Sequence, residues 1–256
     1  PDNVYHQFNA VVEKDADMKE IVAVIERDPS TAAKVLQVAN SAFFGIKTGS
    51  VKQAAIYLGL NGIKDILMNC CLYGELFNTK NPRLKRDLET LWQHGVLTNR
   101  ILHELYQRLF NKKIPEICSS AGLLHDVGKV IMLSRYTDEY IELTKEIIPD
   151  HDAYYYYEEL EFTEASHPEI GGYLLNWWEL PYSIVEAALF HHCPLDEKVI
   201  DRELVSLVHT ADIYSWNMMF DRDMRKVEPE VLELLKLKEK DIEKIFLEIK
   251  TTVSGS

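Results

Sequence analysis

A histidine and an aspartate stand side by side, His125 and Asp126, inside an otherwise apolar segment at 115–133. Pro115 suits the first turn of a helix, and Ala121, four residues before His125, shares its helical stripe. A carboxylate at position 126 is costly to bury unless a positive charge lies against it. The segment therefore predicts a buried helical segment that carries a charged pair, His125 and Asp126. Taken alone, that pair could be no more than a hydrogen-bonded pair in the core.

Helical patterns dominate the rest of the chain, and no stretch alternates as a half-buried strand would. The turn cluster at 78–82 predicts a boundary between a small lobe of short capped helices, 1–78, and a larger lobe, 79–256. The fold class predicted is all-α, a two-lobed helical bundle. Helices are expected over 29–39, 51–58, 61–71, 84–110, 138–162 with a break at Pro149, 167–180, 182–192 and from Asp201, followed by a two-helix tail after 227.

The charge balance limits the partners. A formal net charge of −13 over 256 residues disfavours nonspecific binding to nucleic acid or anionic lipid. Short helices separated by glycine also resemble helix-turn-helix modules, but the acidic balance argues against DNA. A phosphorylated ligand would need a local positive centre, which a metal ion could supply.

The cysteines and the apolar runs indicate the compartment. Cys70, Cys71, Cys118 and Cys193 have no paired spacing and fit a reducing cytoplasm better than a disulfide framework. No apolar run reaches the length of about 18 residues that spans a membrane, and no secretory signal is present. Because the chain opens at Pro1, we expect it to be a fragment of a longer protein.

Further polar residues fall where the helical pattern predicts a buried face or a helix end. Asp212 and His94 each share the apolar stripe of their helix. An unpaired aspartate there would cost on the order of several kcal/mol. His167 and the pair His191-His192 are expected at helix ends, where side chains of different helices can converge.

Imidazoles and carboxylates that meet on helices form the ligand set that a divalent Fe, Mn, Zn or Ni ion prefers. Asp126 could bridge two ions, and each histidine would need an outer acceptor for its second ring nitrogen. Any single histidine could equally be a satisfied core residue. Jointly, the set favours a site for one or two divalent transition-metal ions. The remaining histidines are interpreted as ordinary: His6, His103, His151 and His209.

The order His94, then His125-Asp126, then Asp212 resembles the H…HD…D signature of the HD phosphohydrolase superfamily. Several segments, which together cover nearly the whole chain, resemble the HD-related output domain, HDOD. They are Asp28-Pro29 with Ala39-Asn40-Ser41, Gly122 to Lys129, His167 to Gly171, and Trp178 to Pro181. The resemblance implies an all-helical bacterial output domain of signal transduction, often downstream of a receiver domain, as in response regulators.

The same resemblance implies a ligand set. The superfamily pattern implies one ion on His94, His125, Asp126 and Asp212. The related cyclic-dinucleotide phosphodiesterases, the HD-GYP branch, imply a second ion on Asp126, His167, His191 and His192, and a phosphate contact from Lys129. The sequence departs from that branch at Thr90, where a glutamate can stand, and after His192, where no Gly-Tyr-Pro motif follows. These departures argue against a third ion and against cyclic-dinucleotide specificity.

Two functions follow as hypotheses. In the first, which we favour, the chain is a regulatory module that acts through a protein partner or a nucleotide, and its metal site is structural or sensing. In the second, the chain is a metal-dependent phosphohydrolase or phosphodiesterase of nucleotides, with Asp126 and Lys129 in the catalytic centre. Lys129 would then stabilise charge on the phosphate, or could instead be a solvated lysine at a helix end.

Overall fold

The structure, a computed structural model, describes residues 18–26, 32, 35–36, 39, 48–59, 62–63, 80–139, 165–177, 180–220 and 226–254. Every regular element within those residues is helical, which confirms the all-α prediction. The predicted helices at 29–39, 61–71 and 138–162 lie largely outside the described residues, as do His6 and His151. The backbone divides into two compact units, one of 1–78 with 250–256 and the other of 79–249. The sequence had assigned 250–256 to the second lobe.

In the first unit, helix α1 spans Met18–Glu26 and buries an apolar face that includes Ile21 and Ile25. Residues 51–59 form a second helix, as predicted. Ser50 caps it by accepting a hydrogen bond from the Gln53 amide, and the helix ends at Gly59 with a φ of 69°. A residue with a side chain rarely adopts that backbone conformation, so glycine suits this helix end.

The second unit begins with the long predicted helix, α2, which spans Pro82–Phe110. The Asn81 side chain caps it by accepting hydrogen bonds from the amides of Arg83 and Leu84. Its apolar stripe is buried, and His94 lies on that stripe with no exposed surface. A polar ring thus points into the core from the middle of α2.

The segment around His125-Asp126 differs from the prediction. The helical stripe that the sequence predicts from Pro115 through Ala121 to His125 is divided: a 3-10 helix at Glu116–Cys118 is followed by helix α3, Ala121–Leu124, and helix α4, Val127–Arg135. His125 and Asp126 form the turn between α3 and α4. In a continuous helix, neighbouring side chains project about 100° apart. The break allows both side chains to face the same interior space.

The remaining helices that begin in the second unit are α5 (His167–Trp177), α6 (Tyr182–Phe190), α7 (Arg202–Phe220), α8 (Pro229–Leu234) and α9 (Glu239–Ser254), of which α9 belongs to this unit up to residue 249. Asp201 caps α7 as predicted, because its Oδ1 accepts a hydrogen bond from the Leu204 amide at 3.0 Å. Helices α8 and α9 are the predicted two-helix tail. Over the described residues, every helix is too short or too polar to traverse a lipid bilayer.

Cys118 gives a test of this packing. Its thiol is buried, and burial, assisted by the charge of Asp201, raises its pKa to about 11. Because the thiolate is the reactive form, we expect Cys118 to be alkylated about 100-fold more slowly than an ordinary thiol near neutral pH. The exposed Cys193 should react first. Peptide mass spectrometry after brief iodoacetamide treatment would measure both, and equal early labelling would contradict the buried position of Cys118.

Candidate metal centre

All seven side chains that the sequence assigns to metal ligation lie together in the second unit. They come from α2, from the α3–α4 turn, from the start of α5, from the turn after α6, and from α7. Two overlapping groups of possible ligand atoms result, each with its members within 4.8 Å of one another. The groups are His94, His125, Asp126 and Asp212, here the first ligand set, and Asp126, His167, His191 and His192, the second ligand set.

The first ligand set is compact and buried. His94 Nε2 lies 3.0 Å from Asp212 Oδ1 and 3.3 Å from His125 Nε2. Asp126 Oδ2 lies 3.4 Å from the Nε2 atoms of both histidines. His125 Nε2 is also 3.4 Å from Asp212 Oδ1. Four donor atoms from three parts of the chain thus surround one point.

The second ligand set repeats this arrangement around the other oxygen of Asp126. Asp126 Oδ1 lies 3.4 Å from the Nε2 atoms of both His167 and His191. These two nitrogens are 3.4 Å apart, and His192 Nε2 lies 3.1 Å from His167 Nε2. His192 is half-buried, whereas the other six ligand residues are buried. The second set is therefore the one that approaches solvent.

The donor separations test whether a metal ion fits. Nitrogen and oxygen ligands bind Zn²⁺ and similar ions at about 2.1 Å, so neighbouring donors lie about 3.0 Å apart in an octahedron and about 3.4 Å in a tetrahedron. The donor separations given above, 3.0–3.4 Å in the first set and 3.1–3.4 Å in the second, fall in that range, and every donor pair of a set lies within 4.8 Å. The donor geometry suits one ion in each set.

The histidine tautomers agree with this geometry. His125 Nδ1 donates to the Gly122 carbonyl oxygen at 2.8 Å, and His191 Nδ1 donates to the Ala188 carbonyl oxygen at 2.9 Å. Because a carbonyl oxygen only accepts, the proton of each neutral ring is on Nδ1. The Nε2 lone pairs are thereby directed into the ligand sets. An outer hydrogen bond that fixes the tautomer is the usual support of a metal-binding imidazole.

Lys129 lies against the centre. Its ammonium donates to Asp126 Oδ2 at 2.9 Å, and the residue is only 1% exposed. The alternative of a solvated lysine at a helix end is therefore wrong. Lys129 follows Asp126 by three residues, so the first turn of α4 brings its side chain back over the carboxylate. The chain thus places an amino group of its own against the Asp126 carboxylate.

The electrostatics of the two sets differ. Burial alone would raise the pKa of Asp126, but Lys129 and His125 hold it well below its usual range. Burial would lower the pKa of His125, yet the charges of Asp126 and Asp212 raise it overall. In the second set, burial lowers the pKa of His191 to about 3. The first set therefore attracts positive charge, for which a proton and a metal ion would compete, and His191 offers a neutral imidazole.

A close backbone contact brings the second ligand set together. A Cβ atom built on Gly128 would lie 1.9 Å from the carbonyl oxygen of His167, so α4 and α5 touch through their main chains at this point. Only glycine allows such an approach. Because Asp126 precedes Gly128 by two residues, the contact places its carboxylate beside the His167 ring.

The sequence interpretation missed two residues behind the ligands. His209, interpreted as ordinary, lies 2.6 Å through Nδ1 from the His191 carbonyl oxygen. Ser215 Oγ lies 2.6 Å from His94 Nδ1. His209, Asp212 and Ser215 are spaced by three along α7, so they share one face of that helix. This spacing around Asp212 is the signal that could have identified both.

Comparisons with known proteins place the chain among helical domains. The family model of the HDOD domain matches residues 1–194. A protein of Treponema pallidum (strain Nichols), itself uncharacterized, is 26% identical over 194 residues, or 75% of this chain. The chain spans only 37% of the length of that relative.

Two solved structures share the fold. A candidate phosphohydrolase from Shewanella amazonensis SB2B superimposes with a TM-score of 0.71 at 20% identity, covering 100% of this chain and 91% of its own. A candidate signal transduction protein from Marinobacter aquaeolei VT8 superimposes with a TM-score of 0.73 at 18% identity, covering 100% of this chain and 58% of its own. At these identities the likeness shows the helical architecture.

Proposed function

The chain belongs to the HDOD domain family, and from that membership we propose that it is a regulatory output module of a bacterial signalling system. In this proposal, the lobe at 79–256 holds two divalent transition-metal ions, Fe, Mn, Zn or Ni. The module acts in the cytoplasm through a protein partner, such as an upstream receiver domain, or through a nucleotide ligand. The candidate signal transduction protein of the same fold supports the signalling role.

The observation that carries this proposal is the position of the Asp126 carboxylate. Its Oδ2 atom lies among the donors of the first ligand set and its Oδ1 atom among those of the second, at 3.4 Å from two imidazole nitrogens in each case. A carboxylate placed in this way could hold one divalent ion through each of its oxygens, and two such ions would supply two-metal chemistry at the centre. An isolated buried ion pair with Lys129 would not require five histidines around it.

The charge of a loaded centre indicates the ligand class. Two divalent ions would exceed the charge of the two carboxylates, Asp126 and Asp212, and Lys129 would add to the excess. The centre would then be cationic inside a chain whose formal net charge is −13. An anionic ligand such as a nucleotide phosphate is the chemistry that such a centre binds.

Metal analysis of protein purified without chelators tests the proposal. We expect about two equivalents of transition metal in the unsubstituted chain. His94→Ala should remove the ion of the first set and His192→Ala that of the second, leaving about one equivalent each, because each substitution removes a ligand that the sets do not share. His103→Ala is the matched control, since His103 contacts the Ser119 carbonyl oxygen and belongs to neither set. Protein without stoichiometric metal would contradict the proposal.

A second candidate function, a metal-dependent phosphohydrolase or phosphodiesterase, is favoured by the half-buried His192 and by Lys129. Two divalent ions, when bound, supply Lewis-acid stabilisation of a phosphoryl group. His192 is the most exposed of the ligand residues, so a phosphate would approach from the second set. Lys129 keeps Asp126 ionised and adds positive charge at the centre. The candidate phosphohydrolase of the same fold supports this function.

Assays on the metal-loaded chain separate the two functions. Hydrolysis of a cyclic dinucleotide or a nucleotide that is lost in Asp126→Ala would establish the enzyme. We favour the regulatory module, since six of the seven ligand residues are buried and catalysis needs an open coordination position. Metal-loaded protein that binds a nucleotide or partner without turnover is the result expected of that module.

A further inference from the structure

We propose that Ser215 and His209, both on α7, are positioning residues that act separately on the two ligand sets. Ser215 would fix His94 for the first set, and His209 would fix His191 for the second. This inference rests on the proposed metal function and adds to it the residues that set the affinity of each position.

Ser215 touches two members of the first ligand set. Its hydroxyl donates to the main-chain oxygen of Asp212 at 3.0 Å, and its Oγ lies 2.6 Å from His94 Nδ1. Oγ carries one proton and two lone pairs, so while it donates to the Asp212 oxygen it can accept a hydrogen bond from His94 Nδ1. With the ring proton on Nδ1, the Nε2 lone pair of His94 faces Asp212 Oδ1. Ser215 thus sets both the tautomer and the direction of this ligand.

His209 acts on the second ligand set through the main chain. Its Nδ1 atom lies 2.6 Å from the His191 carbonyl oxygen, and its Nε2 atom lies 2.7 Å from Glu228 Oε2. The main-chain oxygen of His191 can only accept, so Nδ1 donates the hydrogen bond to it. His209 is fully buried, whereas the Glu228 side chain is 44% exposed. The ring lies between the His191 carbonyl oxygen and Glu228, and it contacts the turn that carries His191 and His192.

The two contacts are separate because α7 passes behind the whole centre. His209 lies three residues before Asp212 and faces the segment that follows α6. Ser215 lies three residues after Asp212 and faces α2. Thr98 Oγ1 lies 2.8 Å from Ser215 Oγ but lies outside both ligand sets. Thr98→Val, which keeps the side-chain shape, therefore serves as a control for loss of a neighbouring buried hydrogen bond.

Titration of the metal-free chain with Zn²⁺ tests the inference. The two positions can be told apart, because the Trp216 ring stacks on the His94 ring with centroids 4.0 Å apart. The fluorescence that is lost on Trp216→Phe substitution should report the first set. We expect Ser215→Ala to weaken Zn²⁺ binding to the first set about 10- to 100-fold and to leave Zn²⁺ binding to the second set unchanged. His209→Leu should weaken only Zn²⁺ binding to the second set, by a similar factor.

Rescue by a conservative change separates positioning from general stability. In His209→Asn, the side-chain amide nitrogen can replace Nδ1 and donate to the His191 carbonyl oxygen, while the Glu228 contact is lost. We expect His209→Asn to recover most of the affinity of the second set, and Thr98→Val to bind as the unsubstituted chain does.

The inference would be overturned if Ser215→Ala and His209→Leu each weakened Zn²⁺ binding to both sets equally, or if neither weakened it. Either result would leave the proposed function standing. Failure of the unsubstituted chain to bind Zn²⁺ would overturn both.

Discussion

Asp126→Asn is expected to remove both metal ions, where substitution of an unshared histidine removes one. The neutral amide cannot bridge two cations, and both oxygens of Asp126 are needed because each lies in a different ligand set. We expect metal content to fall from about two equivalents to below about 0.2, with loss of the cationic centre and of any anion binding that depends on it. Elemental analysis of protein purified without chelators gives the result directly.

The same substitution should also destabilise the metal-free fold. The Lys129 ammonium would remain buried beside a neutral amide, and breaking a buried pair in this way typically costs about 3–5 kcal/mol. Urea unfolding of the chelator-treated chain measures this cost. The matched control is the double variant Asp126→Asn/Lys129→Met, which removes the stranded charge and should recover a large part of the stability. An Asp126→Asn chain that keeps two equivalents of metal would contradict the shared carboxylate.

Gly128→Ala is the second change with a large expected effect. Alanine has the higher helix propensity, by up to about 1 kcal/mol relative to glycine, so propensity alone predicts a chain at least as stable at this position in the first turn of α4. The close contact predicts the opposite, a loss of stability. The new Cβ would lie 1.9 Å from the His167 carbonyl oxygen, which is main chain and cannot rotate away. We expect α4 and α5 to separate, with a net loss of about 1–3 kcal/mol.

That separation should act selectively on metal binding. His167 would move away from Asp126 Oδ1, so the ion of the second set should be lost, while the ligands of the first set lie on α2, the α3–α4 turn and α7. Gly171→Ala provides a graded comparison, since its Cβ would approach Gly128 N only to 3.2 Å. Gly49→Ala, where nothing lies within 4 Å of the added Cβ, should change stability by less than about 0.5 kcal/mol. Equal behaviour of all three alanine variants would refute the argument.

The helical class and the helices that bear ligands could be predicted because they depend on local signals. Asn81-Pro82 and Asp201 mark helix starts that the structure contains, and the apolar stripe of α2 includes His94. The cost of burying Asp126 and Asp212 indicated that polar partners would lie against them, and Lys129, His94 and His125 lie within 3.4 Å of those carboxylates. Ligation itself stays a prediction until metal is measured.

Other features depend on contacts that no local pattern contains. The break at His125-Asp126 was missed because the apolar stripe runs through it without interruption. Lys129 is buried because the first turn of α4 brings its side chain back over the Asp126 carboxylate, and because the surrounding helices cover it. The contact of Gly128 with His167 joins two elements separated by a long stretch of chain, and a glycine in a helical pattern carries no information about its partner. His209 and Ser215 gain a role only from what faces them across the core.

The separation of the ligands along the chain has a consequence for the folding pathway. His94 and Asp212 are more than a hundred residues apart in sequence, yet their donor atoms lie 3.0 Å from each other. Closing such a loop costs chain entropy before any contact can repay it, and topologies of this kind nucleate slowly. An unfolded chain therefore presents no local chelating hairpin, unlike a zinc finger, where the cation assembles its own fold. The metal ions would bind to helices that have already folded, and would act chiefly by slowing the unfolding of the chain.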